Sequence, residues 1–381
     1  MGVSGVSVPS RRALLYALCL LAASGCVTTR GAQGPAAEVR FEGEVITGDL
    51  ELEKLNDVEL FAAGTSFYAA EDFVQAARYF GRLADFHPNS PHRRAALYNA
   101  GLALEKLKQW EDAYSRVLEL ADAKKGSGDA LDAAFRVAET LYHQERFSEA
   151  ADVLATLANR MDLAVDRQIE ARTQLGICEL ESGKIDQAET TLRRVVTQYN
   201  EYPERDMLDD YFPAQAQFFL GEIYRQHYEA ISLDPDKGTD KLATDLEFKA
   251  ELLLSSQGHY LRSIRIGNGY WATAAGARIG GLYENLYDHM INAPAPKELN
   301  KDEAEVYRQE LRKKIRVLIS KSITVYERTI EAAERIGANN PFVERTRESL
   351  RRMKELLLAD ARAEEEETRP PASAGASKPR G

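Results

Sequence analysis

The chain has 381 residues, 44% of them hydrophobic, enough for one large core or two ordinary ones. Its formal net charge of -11 excludes a general affinity for nucleic acid or anionic lipid, because both need positive charge facing phosphate. The three cysteines exclude a disulfide framework: Cys19 and Cys26 lie in and just after the N-terminal apolar run, and Cys178 stands alone among helical core residues, where it reads as a small buried apolar group.

At the N-terminus, Arg11 and Arg12 precede a short apolar run, Ala13 to Ala22. That is well short of the roughly 20 residues a spanning helix needs, so the pattern predicts a secretory signal over residues 1–25. The run closes on Leu21-Ala22-Ala23-Ser24-Gly25-Cys26, which resembles the lipobox of bacterial lipoproteins. The resemblance implies cleavage before Cys26, diacylglycerol on its thiol and a further acyl chain on the new N-terminus, an effectively permanent anchor. Removing residues 1–25 takes away two arginines and no acid, so the mature charge would be -13. Val27 stands where inner-membrane lipoproteins of diderm bacteria commonly carry aspartate, so the resemblance implies the outer membrane, periplasmic face. Residues 26–56, with Gly31, Gly34, Gly43, Gly48 and an alternating stretch from Phe41 to Ile46, read as a lipidated flexible tether with one extended segment.

An internal repeat follows. Leu60, Gly64, Phe67, Phe73, Ala76, Phe80 and Leu83 recur as Leu97, Gly101, Leu104, Trp110, Ala113, Val117 and Leu120, and again as Ala134, Ala138, Leu141, Phe147, Ala150, Leu154 and Leu157. A fourth copy keeps Gly176, Ile185, Ala188, Leu192 and Val195 but places Arg172 and Glu179 where the others are apolar. The small residues Gly64, Gly101, Ala138 and Gly176 are 37, 37 and 38 residues apart. Counted from Asp57, they fill position 8, with small residues again at position 20 and large ones at 17 and 24. Each unit reads as two antiparallel helices that meet closely at the small residues and stack on the next unit to bury their second face. The pattern resembles the tetratricopeptide repeat, which implies an all-α solenoid of helical hairpins over residues 57–231.

The later chain is looser. A fifth copy begins at Leu220, Gly221 and Tyr224, and its second helix, Leu246 to Ile266, is displaced by an insertion from Ser232 to Asp245. Gly267-Asn268-Gly269 is a turn signal rather than a phosphate loop. A sixth first helix covers Tyr270 to Met290 with Ile279, Gly280 and Tyr283 in the expected roles; its partner is a long helix, Lys301 to Ile336, and a capping helix runs from Pro341 to about Ala361. Residues 232–363 thus read as divergent repeats and a cap, and residues 364–381 as a disordered charged and Pro/Ala/Ser-rich tail.

No catalytic constellation emerges. None of the six histidines forms a metal-ligand pair with another, and Arg312-Lys313-Lys314 reads as a solvated helix face. The expectation is no enzyme, no metal, no cofactor, no nucleic acid and no small-molecule substrate. In the family resembled, positions 5 and 12 of each first helix face a concave groove. Here those positions carry Phe61, Tyr98, Phe135 and Phe218, with Thr173 in the fourth copy, and Tyr68 and Tyr142. Recurrent rings at one position suit a partner-binding groove. Repeats joined to a lipobox resemble outer-membrane tetratricopeptide lipoproteins, including those of barrel assembly, type IV pili and, from the C-terminal part, myxobacterial gliding motility. The resemblance implies a membrane-anchored scaffold that binds other envelope proteins in motility or secretion machinery. The alternatives are a subunit of outer-membrane protein assembly or an activator of a periplasmic cell-wall enzyme.

Overall fold

The computed structural model describes residues 51–368 apart from 123, 127, 235–237 and 292–298, and these are helical with no strand. Asn56 starts α1 (Asp57–Ala69) through a reciprocal cap: its side chain accepts from the Glu59 N–H, and the Glu59 carboxylate accepts from the Asn56 N–H, both at 2.9 Å. α2 (Phe73–Phe86) folds back on α1. The same hairpin recurs as α3 (Arg93–Lys106) with α4 (Trp110–Leu118), α5 (Asp129–His143) with α6 (Phe147–Ala158), and α7 (Val165–Glu181) with α8 (Ile185–Glu201). α9 (Tyr211–Ala230) pairs with α10 (Thr239–Ile266), and α11 (Gly269–Ile291) with α12 (Lys301–Ile336). α13 (Pro341–Thr368) then packs on α11 and α12. This is the all-α hairpin solenoid that the repeat spacing predicts.

The hairpins close where the pattern places its small residues. A Cβ added at Gly64 would lie 2.8 Å from the Phe80 ring, at Gly101 2.6 Å from Val117, and at Gly176 2.7 Å from Leu192. Position 8 is therefore a socket for the large residue at position 24, and the alanines at position 20 (Ala76, Ala113, Ala150, Ala188) are fully buried beside it. The two divergent hairpins keep the socket and change its occupant. A Cβ at Gly221 would meet the Tyr260 ring at 2.6 Å, and one at Gly280 would overlap the Tyr326 ring. Four residues before each tyrosine a serine replaces the alanine: Ser256 Oγ donates to the Gly221 carbonyl at 2.9 Å and Ser322 Oγ to the Gly280 carbonyl at 3.1 Å. Each buried phenol needs an acceptor; Tyr260 donates to Glu222, and Tyr326 to Glu284 at 2.6 Å.

The turns within the first four hairpins share one hydrogen-bond pattern. At position 15 the N–H reaches the carbonyl three residues back, and the next N–H reaches the carbonyl five back, as in Glu71 to Tyr68 and Asp72 to Phe67. The closure requires a left-handed residue. Gly183 supplies it in the fourth hairpin at φ 77°, but Glu71, Lys108 and Glu145 adopt it at φ 60–61°.

Three boundaries differ from the sequence reading. Residues 52–54 form a 3₁₀ helix and Leu52 is 2% exposed, buried with Leu60 and Phe80, so the tether read over residues 26–56 ends earlier. The insertion read from Ser232 to Asp245 is shorter, because α10 already begins at Thr239. Buried Lys249 holds that connection: its ammonium donates to the Tyr228 and Ile231 carbonyls at 2.8 and 3.0 Å, pairing carbonyls at the end of α9. Finally, α13 runs to Thr368 rather than about Ala361, taking in the first residues assigned to the tail. The signal segment, Cys26, the stretch from Phe41 to Ile46 and residues 369–381 lie outside the described residues.

The socket predicts an ordering of glycine substitutions. Gly221→Ala drives a methyl into the Tyr260 ring and should cost about 1–3 kcal/mol of stability. Gly81→Ala, whose added Cβ meets nothing closer than 3.6 Å, should gain up to about 1 kcal/mol from helix propensity. Thermal or urea unfolding of the two variants checks the order.

Candidate binding face of the first helices

The first helices α1, α3, α5, α7 and α9 form one face of the stack, and position 5 turns out to be its seam. Each residue there touches the start of the next hairpin. Phe61 stacks on His92, just before α3, at 4.9 Å between centroids. Tyr98 lies beside Arg136 of α5. Phe135 lies under the Arg167 guanidinium of α7 at 4.0 Å. Thr173 Oγ1 reaches the Phe212 carbonyl of α9 at 3.5 Å, and Phe218 packs on Trp271 of α11 at 5.1 Å. Phe135 is 5% exposed and Phe218 4%, so neither presents a ring to a partner. This corrects the expectation that they line a groove: a ring at position 5 buries its apolar area against the following first helix. Phe61 and Tyr98 are half-buried in the same seam, and Tyr68 packs edge-on to Phe73 within its own hairpin.

Tyr142 lines a cavity. That cavity, about 410 Å³, opens between α5, α7 and α9. α5 contributes Arg136, Glu139, Tyr142 and His143; α7 contributes Glu170, Gln174, Ile177 and Cys178; α9 contributes Tyr211, Phe212, Gln215 and Phe219. In the repeat frame, α5 and α7 contribute mainly positions 2, 6, 9 and 13, spaced three and four residues apart on one helix face. The sequence signal for this wall is charged and polar residues at that spacing, Arg136, Glu139, Glu170 and Gln174, rather than recurring aromatics. His143 is held by Trp110, stacked at 4.0 Å. Cys178 is a free buried thiol pushed up to about 12 by desolvation, so it is not a nucleophile at neutral pH.

Charge is concentrated at this point. Arg136 Nη1 donates to Glu105 of α3 at 3.3 Å and to Glu139 at 3.1 Å. Arg167 is shared by Glu170 at 2.7 Å and Asp132 at 2.6 Å. Burial pushes the Glu105 carboxyl up to about 7 against the pull of Arg136, and it raises Glu170 as well. The same cause pushes Tyr142 up to about 12. Among the described residues no group of three or more His, Cys, Asp or Glu could hold a metal ion, and no helix is long and apolar enough to cross a membrane.

The fold and this face define a helical-hairpin solenoid of the kind that presents an extended surface to other proteins. Family models described as tetratricopeptide repeat match residues 61–130 and 170–201, so the chain contains tetratricopeptide repeats. The sequence finds no match among curated proteins. Similar solved structures include a tetratricopeptide repeat protein from Parabacteroides merdae, 13% identical over 80% of this chain and 98% of that one, with a TM-score of 0.35. The apo form of RapI is 10% identical over 81% of this chain and 100% of that one, with a TM-score of 0.42. A Rap conjugation gene regulator of the plasmid pLS20, in complex with the Phr* peptide, is 16% identical over 85% and 82%, with a TM-score of 0.35. None of these likenesses bears on what this chain binds.

Two predictions follow from seam and cavity. Phe135→Ala should cost about 3–5 kcal/mol in an unfolding experiment, as a core ring does, while Tyr142→Ala, at the cavity wall, should cost less. Glu105 gives a pH signature. Its folded carboxyl titrates near 7 and an unfolded one near 4.5, so ionisation works against the fold as pH rises between the two. Glu105→Gln should therefore match the wild type near pH 4 and exceed it by up to about 3 kcal/mol near pH 8. Melts across that range that run parallel for the two proteins would contradict this.

Proposed function

We propose that the protein is a membrane-anchored scaffold that grips an extended segment of a partner protein on the face of its first helices. The observation that carries the binding half is the cavity between α5, α7 and α9, whose wall mixes Tyr142, Tyr211 and Phe219 with Arg136, Glu139 and Glu170. A concave apolar site with a few convergent polar groups is what a partner segment needs to be held in one register. The repeats support the same reading, since a solenoid offers length of surface rather than a catalytic cleft.

The anchoring half rests on sequence: Arg11 and Arg12, the short apolar run and Leu21-Ala22-Ala23-Ser24-Gly25 before Cys26. On that basis the thiol of Cys26 is the lipid acceptor, and Val27 favours the periplasmic face of the outer membrane. The partners are then envelope proteins of a motility or secretion machine. The overall charge of -11 favours a partner with basic surface.

Both halves are testable in cells. Cys26→Ala should lose labelled palmitate and leave the membrane fraction; a variant that still takes the label would show that another group is the acceptor. A photocrosslinking residue at position 142, in the cavity, should capture an envelope protein that the same residue at Met161, exposed on the loop after α6, does not. Gln174→Trp, which fills the cavity, should abolish that capture with the melt unchanged. Capture that survives the filled cavity would move the binding site elsewhere.

A further inference from the structure

We propose that the cavity between α5, α7 and α9 receives one lysine or arginine side chain of the partner segment. The inference rests on reading this face as protein-binding and adds the chemistry of what enters it. Glu139 and Glu170 in the wall, with Glu105 and Asp132 paired to the same cations, share only two guanidiniums, Arg136 and Arg167, so carboxyl groups outnumber cations by two. Both arginines are divided between two carboxylates, so neither is free for an anionic guest. A partner carboxylate or phosphate would meet that excess and is disfavoured.

A second observation is independent of the charge count. Glu105 is nine-tenths buried, and while its Oε2 accepts from Arg136, its Oε1 has no partner. Gln215 Oε1, in the cavity wall, is likewise buried and unpartnered. Buried polar atoms are normally paired, and both of these are acceptors. Glu105 pairs with Arg136 but is not part of the cavity wall, so it is Gln215 Oε1 that calls for a donor from the cavity, and an ammonium or guanidinium supplies one. An apolar guest would fill the space and leave that oxygen unpaired.

The remaining wall suits the stem and face of such a side chain. Tyr142, Tyr211, Phe212 and Phe219 are among the residues that line the cavity. Rings of this kind attract a cation and cover the methylenes that carry it. The raised carboxyls of Glu105 and Glu170 fit the same picture, because burial strips both of water and the arginines beside them do not make up the loss.

The test is selection of a random dodecapeptide display library on the full chain in detergent, with Gln174→Trp as the filled-cavity control. Peptides enriched over the control should share one lysine or arginine. Replacing that residue by norleucine should weaken binding about tenfold or more, a loss of roughly 1.4 kcal/mol. Glu139→Lys should weaken the basic peptide to a similar degree and leave its norleucine version unchanged; Glu139 is partly exposed, so this variant keeps the fold. Enriched peptides without a basic residue would overturn this proposal and leave the binding face intact. No enrichment over the filled cavity would overturn both.

Discussion

The close approach of position 8 to position 24 is the constraint on which the rest of the structure depends. With no side chain at Gly64, Gly101 or Gly176, the first helix lets Phe80, Val117 or Leu192 settle against its backbone. That contact fixes the distance between the two helices of a hairpin. A fixed hairpin then presents position 5 to the next hairpin and positions 2, 6, 9 and 13 to the open face. Seam and cavity both follow from one small residue per repeat, glycine in the first, second and fourth hairpins and Ala138 in the third.

How much of this is legible in sequence follows from which residues have few alternatives. The spacing of 16 residues from Gly64 to Phe80 recurs from Gly101 to Val117, from Ala138 to Leu154 and from Gly176 to Leu192, so four hairpins can be read directly. The divergent hairpins keep the glycine but move its partner to Tyr260 and Tyr326, beyond any fixed spacing, because longer connections intervene. Their serine and tyrosine pair is a variation that only the packing reveals. Position 5 failed for a different reason. A ring covered by the next hairpin and a ring offered to a partner are the same residue type, and Phe135 and Phe218 are distinguished from Tyr142 only by what sits above them.

The cluster around Arg136 runs against the economy of the rest of the stack. In the other three regular hairpins position 12 is Tyr68, Tyr142 or Leu180, but α3 places Glu105 there, nine-tenths buried with an oxygen unpaired. An apolar residue would pack at lower cost, since removing charge from water is expensive unless it is fully compensated. Among the regular hairpins this concession of stability falls next to Arg136, in the wall of the cavity.

The turns carry a last consequence. Glu71, Lys108 and Glu145 are exposed at the hairpin tips, and by exposure alone each should accept almost any side chain. Their left-handed backbone says otherwise, because a branched Cβ there collides with the following carbonyl. Valine or isoleucine would be as unwelcome at these solvated tips as a charge is in the core, whereas glycine and asparagine would fit. Accessibility and mutational tolerance therefore come apart at position 15, and a profile of permitted substitutions along this chain should dip at intervals of 37 residues where a map of surface area does not.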